Sequence, residues 1–112
     1  MVLSTGSNKI KTAVFISGAG SNLKSLIKFS KTKKSPISIN LIISNNPKAI
    51  GLNFGNIFKI IKKVFKFKNK TTTENKILLE LKKNKIDLIC LAGFMKILSK
   101  NFIKNFNGKI LN

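Results

Sequence analysis

No histidine, arginine, tryptophan or tyrosine occurs in these 112 residues. There are only three acids, Glu74, Glu80 and Asp87, and a single cysteine, Cys90. With no imidazole and so few carboxylates, the donor set of a zinc or calcium site is missing, and no metal is expected. One cysteine excludes a disulfide within the chain. Cys90 sits inside the apolar run Leu88-Ile89-Cys90-Leu91-Ala92, where nothing nearby would lower its pKa, so it reads as core filling rather than a nucleophile. No apolar run approaches the ~18 residues of a membrane span. The polar N-terminus lacks the apolar core of a signal peptide, so the expected compartment is the cytosol, with no membrane partner. The absence of arginine and of large polar aromatics also bears on the net charge of +19. Bidentate phosphate and base recognition favours arginine, and stacking on bases favours tryptophan and tyrosine. The basic residues are all lysine and lie scattered along the chain, in company with abundant asparagine, isoleucine and phenylalanine. Those four residue types share A/T-rich codons, so compositional bias accounts for the charge more simply than a specific nucleic-acid partner. The surface should still attract anionic ligands.

What is present is enough for one modest domain. Apolar residues make up 43% of the chain, which suffices for a core. Residues 1–11 read as a polar lead and residues 12–112 as the domain. Near-continuous apolar runs predict strands at Thr12–Ser17, Ile37–Ser44, Val64–Phe67, Asp87–Ala92 and Lys109–Asn112. Between them, helical spacing appears at Leu23–Lys31, with Leu23, Leu26, Ile27 and Ser30 on one face. It recurs at Ile50–Ile61, though Gly51 and Gly55 weaken it. A further helix is expected from a cap at Thr73 to about Asn84, with Ile77, Leu78 and Leu81 buried. A short one runs from a cap at Ser99 through Phe106. Strands alternating with helices imply an α/β fold: a Rossmann-like parallel sheet with helices on both faces. In such sheets ligands collect outside the carboxyl ends of the strands. The loops there are Gly18–Asn22, Asn45–Ala49, Lys68–Thr72 and Gly93–Leu98, with Asn112 at the edge.

The first of these loops is the most informative. Ser17-Gly18-Ala19-Gly20-Ser21-Asn22-Leu23 follows a strand and opens a helix. Glycines let the backbone approach an anion, and the first N–H groups of the helix point at it. Ser21 adds a hydroxyl, and Asn22 can cap the helix or donate its amide. The loop is neither a full dinucleotide fingerprint nor a Walker loop. It fits the phosphate of a small molecule or a tight turn with no ligand. In the loop after the fourth strand, Gly93 permits an unusual turn. Phe94, Met95, Ile97 and Leu98 offer apolar surface that could line a flat heterocycle or plug the core.

Taken in order, these segments resemble a family. They are the Ser17–Leu23 loop, Ser44-Asn45, Ala49-Ile50-Gly51-Leu52, the run from Asp87 to Ser99 containing Leu91-Ala92-Gly93-Phe94-Met95-Lys96-Ile97-Leu98, and Gly108-Lys109-Ile110-Leu111-Asn112. Together they look like phosphoribosylglycinamide formyltransferase, over about Thr12 to Asn112. Asn53–Thr73 departs from the family pattern. The resemblance implies the N-terminal half of a formyltransferase fold. The implied reaction moves a formyl group from 10-formyltetrahydrofolate to the amine of glycinamide ribonucleotide in purine biosynthesis. It implies that Gly20, Ser21 and Asn22 hold the substrate phosphate and that Gly93, Phe94 and Met95 form a wall beside the ribose and glycinamide. It further implies that Lys70, Met95, Lys96, Ile97, Leu98 and Asn112 meet the folate, and that Asn112 is the catalytic asparagine.

In the family the asparagine is followed by Ile-His-Pro-Ser, and an aspartate lies further on. Neither partner is in these residues, so the 112-residue chain by itself is expected to be inactive or nearly so. Two other readings share the motifs: an inactive phosphate- or nucleotide-binding remnant, and a hydrolase like the formyltetrahydrofolate deformylases. The latter usually carry Ala-Arg-Tyr-Met where this chain has Ala92-Gly93-Phe94-Met95.

Overall fold

A computed structural model describes residues 9–112. Five strands form one parallel sheet in the order β3-β2-β1-β4-β5, with β1 at Ile10–Ile16, β2 at Ile37–Ser44, β3 at Ile61–Val64, β4 at Leu88–Leu91 and β5 at Lys109–Leu111. The α/β reading holds, and β2 falls where the sequence placed it. Strand β1 begins two residues earlier than expected, so Ile10 and Lys11 of the expected lead belong to the sheet. The Lys9 ammonium donates to the carbonyls of Ser30 (2.6 Å) and Thr32 (2.9 Å). The remainder of the expected lead, residues 1–8, lies outside the described residues.

Helix α1 (Ser21–Ser30), a 3-10 turn at Ile50–Leu52 and α2 (Asn53–Ile57) accompany one face of the sheet. Helices α3 (Lys70–Lys83) and α4 (Lys100–Asn105) cover the other. The alternation of the central strand explains the two layers. Ala13 and Phe15 point to the α3/α4 side, and Val14 and Ile16 to the α1 side, all fully buried. Strand β2 does not keep strict alternation. Ile37, Ile39 and Ile42 share the α1 side while Leu41 and Ile43 take the other. A bulge makes this possible: the pairing with β1 skips Asn40 between Thr12 and Ala13. The Asn40 side chain accepts from the Thr12 N–H (3.3 Å) and the Ser38 hydroxyl (2.7 Å), satisfying the interrupted ladder.

Three local expectations change. The helix expected over Ile50–Ile61 is a 3-10 turn followed by α2, and it ends at Ile57, because the chain turns left-handed at Lys59 (φ 57°) and Ile60 donates back to the Gly55 carbonyl (2.8 Å). That reversal makes Ile61 rather than Val64 the first residue of the edge strand, so β3 runs three residues ahead of the expected strand and ends at Val64. Phe65 and Phe67 leave the sheet and pack against the α3/α4 core instead. Helix α3 starts at Lys70 with Asn69 as its cap, accepting from the Thr72 N–H at 3.0 Å. Thr73 lies a turn further in and donates its hydroxyl to the Lys66 carbonyl (3.0 Å). No helix among the described residues is long and apolar enough to cross a membrane.

Candidate functional site

The loops at the carboxyl ends of β1, β2 and β4 meet. At the first, Gly20 caps α1 with φ 75°, and the first intrahelical bond runs from the Lys24 N–H to the Gly20 carbonyl (2.9 Å). A glycine cap has no side chain, so it takes none of the preceding helix amides, and the N-terminus of a ten-residue helix faces outward with its dipole. Ser21 and Asn22, both exposed, are the first two helical residues. Asn22 therefore does not cap the helix, as its position had suggested. It lines a cleft instead.

Glycines also bring the first two loops into contact. A Cβ on Gly20 would lie 2.8 Å from the Gly51 Cα, and the Gly51 N–H donates to the Gly18 carbonyl (3.0 Å). The 3-10 turn thus supports the Gly18–Asn22 loop from the side of β2. This explains why Gly51, read from sequence as a weak point in a helix, stands where it does.

Ser17 joins all three loops. Its hydroxyl accepts from the Met95 N–H (2.8 Å) and donates to the Asn45 side-chain carbonyl. Its own carbonyl accepts from the Asn46 amide (3.3 Å). Asn46 is itself set by Ser44, whose hydroxyl accepts from the Asn46 N–H and donates to its carbonyl, both at 3.1 Å. Sequence reasoning singled out Ser17 only as the start of a loop. The interaction that matters reaches across 78 residues, and no local pattern carries it.

In the β4–α4 loop, Gly93 turns with φ 75° and is exposed. The Phe94 ring goes inward, edge-on to Phe15 at 5.2 Å between centroids and to Phe67 at 6.0 Å. Its side chain thus packs with the core, the plug reading of the sequence. The next three residues do the opposite: Met95 is 78% exposed and Ile97 81%, with Lys96 exposed between them, while Leu98 is half-buried against the same core as Phe94. Such apolar exposure at the mouth of a parallel sheet leaves a surface that a ligand or another stretch of protein can cover. Lys70, the first residue of α3, lies at the same end of the sheet and does not line the cleft described next.

Between α1 and the β4–β5 edge is a cleft of about 530 Å³, lined by residues that include Asn22, Ser25, Cys90, Ala92 and Asn112. Asn22 and Asn112, far apart in sequence, thus face one space. None of the three carboxylates lines it. Glu74 is bonded to Ser99, Glu80 to Asn84, and Asp87 precedes β4 at its opposite end.

Cys90 is half-buried on this cleft rather than buried in the core as expected, and burial pushes its thiol above the ordinary value. The thiolate is the reacting form. Iodoacetamide is accordingly expected to alkylate Cys90 more slowly than free cysteine from about pH 7 to 9, the gap narrowing as pH rises further. Mass spectrometry of quenched aliquots reads the rates, and equal rates throughout would contradict the burial.

Residues 10–112 match the family model described as "Formyl transferase". The chain is 40% identical over 107 residues to the human trifunctional purine biosynthetic protein adenosine-3, covering 93% of this chain and 11% of that protein. It is 40% identical over 105 residues to phosphoribosylglycinamide formyltransferase of Haemophilus influenzae, covering 91% of this chain and 50% of that enzyme. The crystal structure of the Brucella melitensis phosphoribosylglycinamide formyltransferase superposes with a TM-score of 0.86 at 37% identity, over 91% of this chain and 55% of the other. The chain thus spans about half the length of the single-function relatives it matches, and far less of the trifunctional one.

Proposed function

We propose, since the chain belongs to the formyl transferase family, that it forms the nucleotide-binding part of a phosphoribosylglycinamide formyltransferase of purine biosynthesis. The proposed reaction transfers the formyl group of 10-formyltetrahydrofolate to the amine of glycinamide ribonucleotide. The observation that carries this reading is the shared cleft. Asn22, at the anion-receptive start of α1, and Asn112, at the end of β5, line one space. The two ends of a phosphorylated substrate have their receiving groups on one surface.

In this reading the N–H groups at Gly20, Ser21 and Asn22, with the Ser21 hydroxyl, receive the ribonucleotide phosphate. The backbone of Gly93 and Met95 borders the ribose and glycinamide. Met95, Lys96, Ile97 and Leu98 receive the pterin, and Lys70 attends the charged tail. The exposed apolar Met95 and Ile97 suit a planar heterocycle, and the folate supplies the formyl group. As the neutral amine attacks the formyl carbon, Asn112 donates its amide to the formyl oxygen, where negative charge develops; the bond from the formyl carbon to folate N10 then breaks, and the amine's proton passes through water to the departing nitrogen. No residue of this chain that lines the cleft is a carboxylate or imidazole, so the chain's own part is binding, orientation and polarisation rather than proton transfer.

Titration calorimetry with glycinamide ribonucleotide tests the reading. Ser21→Ala is expected to weaken binding about tenfold, corresponding to the loss of one hydrogen bond to a charged group. Unchanged affinity would move the phosphate elsewhere, and failure of the unaltered chain to bind would defeat the assignment.

A further inference from the structure

We propose that Glu74 is a positioning residue for the folate-side loop, acting through Ser99. The loop from Ala92 to Ser99 has no regular structure, yet beyond the Ala92 N–H bond to Phe15 and the inward Phe94 ring it is held at two further points. The Met95 N–H is bonded to the Ser17 hydroxyl, and the Ser99 N–H to the Glu74 carboxylate at 2.8 Å. The other carboxylate oxygen accepts from the Ser99 hydroxyl. Between the two anchors stand Lys96, Ile97 and Leu98, three of the residues assigned to the pterin in the proposed function.

Two features make Glu74 more than a cap support. It is 5% exposed and lies on the buried stripe of α3 with Ile77 and Leu81, a place where helical spacing calls for an apolar side chain. Burying a carboxylate there is unfavourable unless it is fully hydrogen-bonded, and both of its oxygens are engaged by Ser99. Helix α3 also shows that a capped helix start needs no such device, since Asn69 caps it with a neutral amide alone. At α4 the cap is Ser99, which accepts from the Phe102 N–H at 3.1 Å. This cap is itself clamped by the carboxylate from α3. The clamp fixes where the loop ends relative to α3, whose first residue is Lys70. The loop and Lys70 thereby become parts of one rigid surface.

This inference rests on the proposed function for the identity of the ligand but not for the clamp. Two measurements on the chain and its Glu74→Ala and Glu74→Gln variants separate them. In amide hydrogen exchange, Glu74→Ala is expected to speed exchange at least tenfold at the loop's two hydrogen-bonded amides, Met95 and Ser99, and leave the amides of β1 and β2 within twofold. In calorimetry, Glu74→Ala is expected to weaken 10-formyltetrahydrofolate about tenfold and leave glycinamide ribonucleotide within twofold. Glu74→Gln, whose carbonyl can still accept from the Ser99 N–H, recovers most of both losses. Exchange that is unchanged in the loop, or raised equally across the sheet, overturns the clamp. Equal weakening of both ligands also overturns it, because that is the mark of a general loss of structure. If the unaltered chain binds neither ligand, the functional reading falls, and the exchange data alone decide the clamp.

Discussion

Gly20→Ala is expected to cost about 3 kcal/mol of stability and to weaken phosphate-ester binding more than tenfold. Two penalties add. The left-handed backbone at φ 75° disfavours a side chain by roughly 1–2 kcal/mol. The new methyl would meet the Gly51 Cα at 2.8 Å, a backbone atom that no rotamer change can move aside. Overpacking of this kind typically costs about 1–3 kcal/mol. Relief requires the Gly18–Asn22 loop or the 3-10 turn to shift, and either shift displaces the helix amides from their aim. Two neighbouring glycines divide the effect. Gly93→Ala has the same φ of 75° with open space around the added methyl, so it should show strain alone, about 1 kcal/mol. Gly18→Ala has neither a positive φ nor a contact within 4 Å, so it should fall within about 0.5 kcal/mol of the parent. Urea unfolding midpoints rank the three. A Gly20 variant as stable as the Gly18 variant would show that the two loops are not in contact.

The second large effect is catalytic. Asn112→Ala is expected to lower kcat by a factor of about 100 to 1000 while leaving KM for the ribonucleotide within a few-fold, because a donor aimed at developing charge acts in the transition state rather than in the ground state. Asn112 follows β5, whose Leu111 pairs with Cys90 of β4, and it is exposed at the cleft. Its removal creates no buried cavity, so folding should be little affected and the kinetic loss interpretable. Because the 112 residues alone are expected to be inactive or nearly so, steady-state formyl transfer reads the split in a fusion that carries the remaining half of the Haemophilus influenzae enzyme after Asn112. A loss under tenfold would remove Asn112 from the role, and a rise in KM alone would make it a binding group.

Much of the architecture was legible because apolar runs covered on both faces have few other structures open to them. Strand β2 and the Ser99 cap of α4 stand where local pattern put them. The errors share one cause. Ile50–Ile61 has apolar residues at helical spacing, yet pairing with β2 captured Ile61 as an edge strand, and the left-handed turn at Lys59 made that possible. Asn69 and Thr73 are both capable caps, and the Lys66 carbonyl decided between them by accepting the Thr73 hydroxyl.

The site divides in the same way. Ser17–Leu23 and Gly93–Ser99 carried their significance in residue type and order, because an anion cradle requires glycine at the start of a helix and a turn at φ 75° favours it. Cys90, set inside an apolar run, could not reveal that one side of its strand borders a cleft. Nor could Glu74, one acid on an otherwise lysine-rich helix, reveal that both its oxygens hold Ser99. By itself, then, the sequence determined the alternation of strands and helices, the covering of both sheet faces and the glycine turn that opens α1, since these follow from hydrophobic spacing and backbone freedom. Only the tertiary structure decided which loops are fastened together, through Ser17 and Glu74, and that Asn22 and Asn112 share a cleft. Those facts depend on hydrogen bonds and sheet neighbours between residues distant in the chain, and such partners are chosen by packing rather than by local pattern.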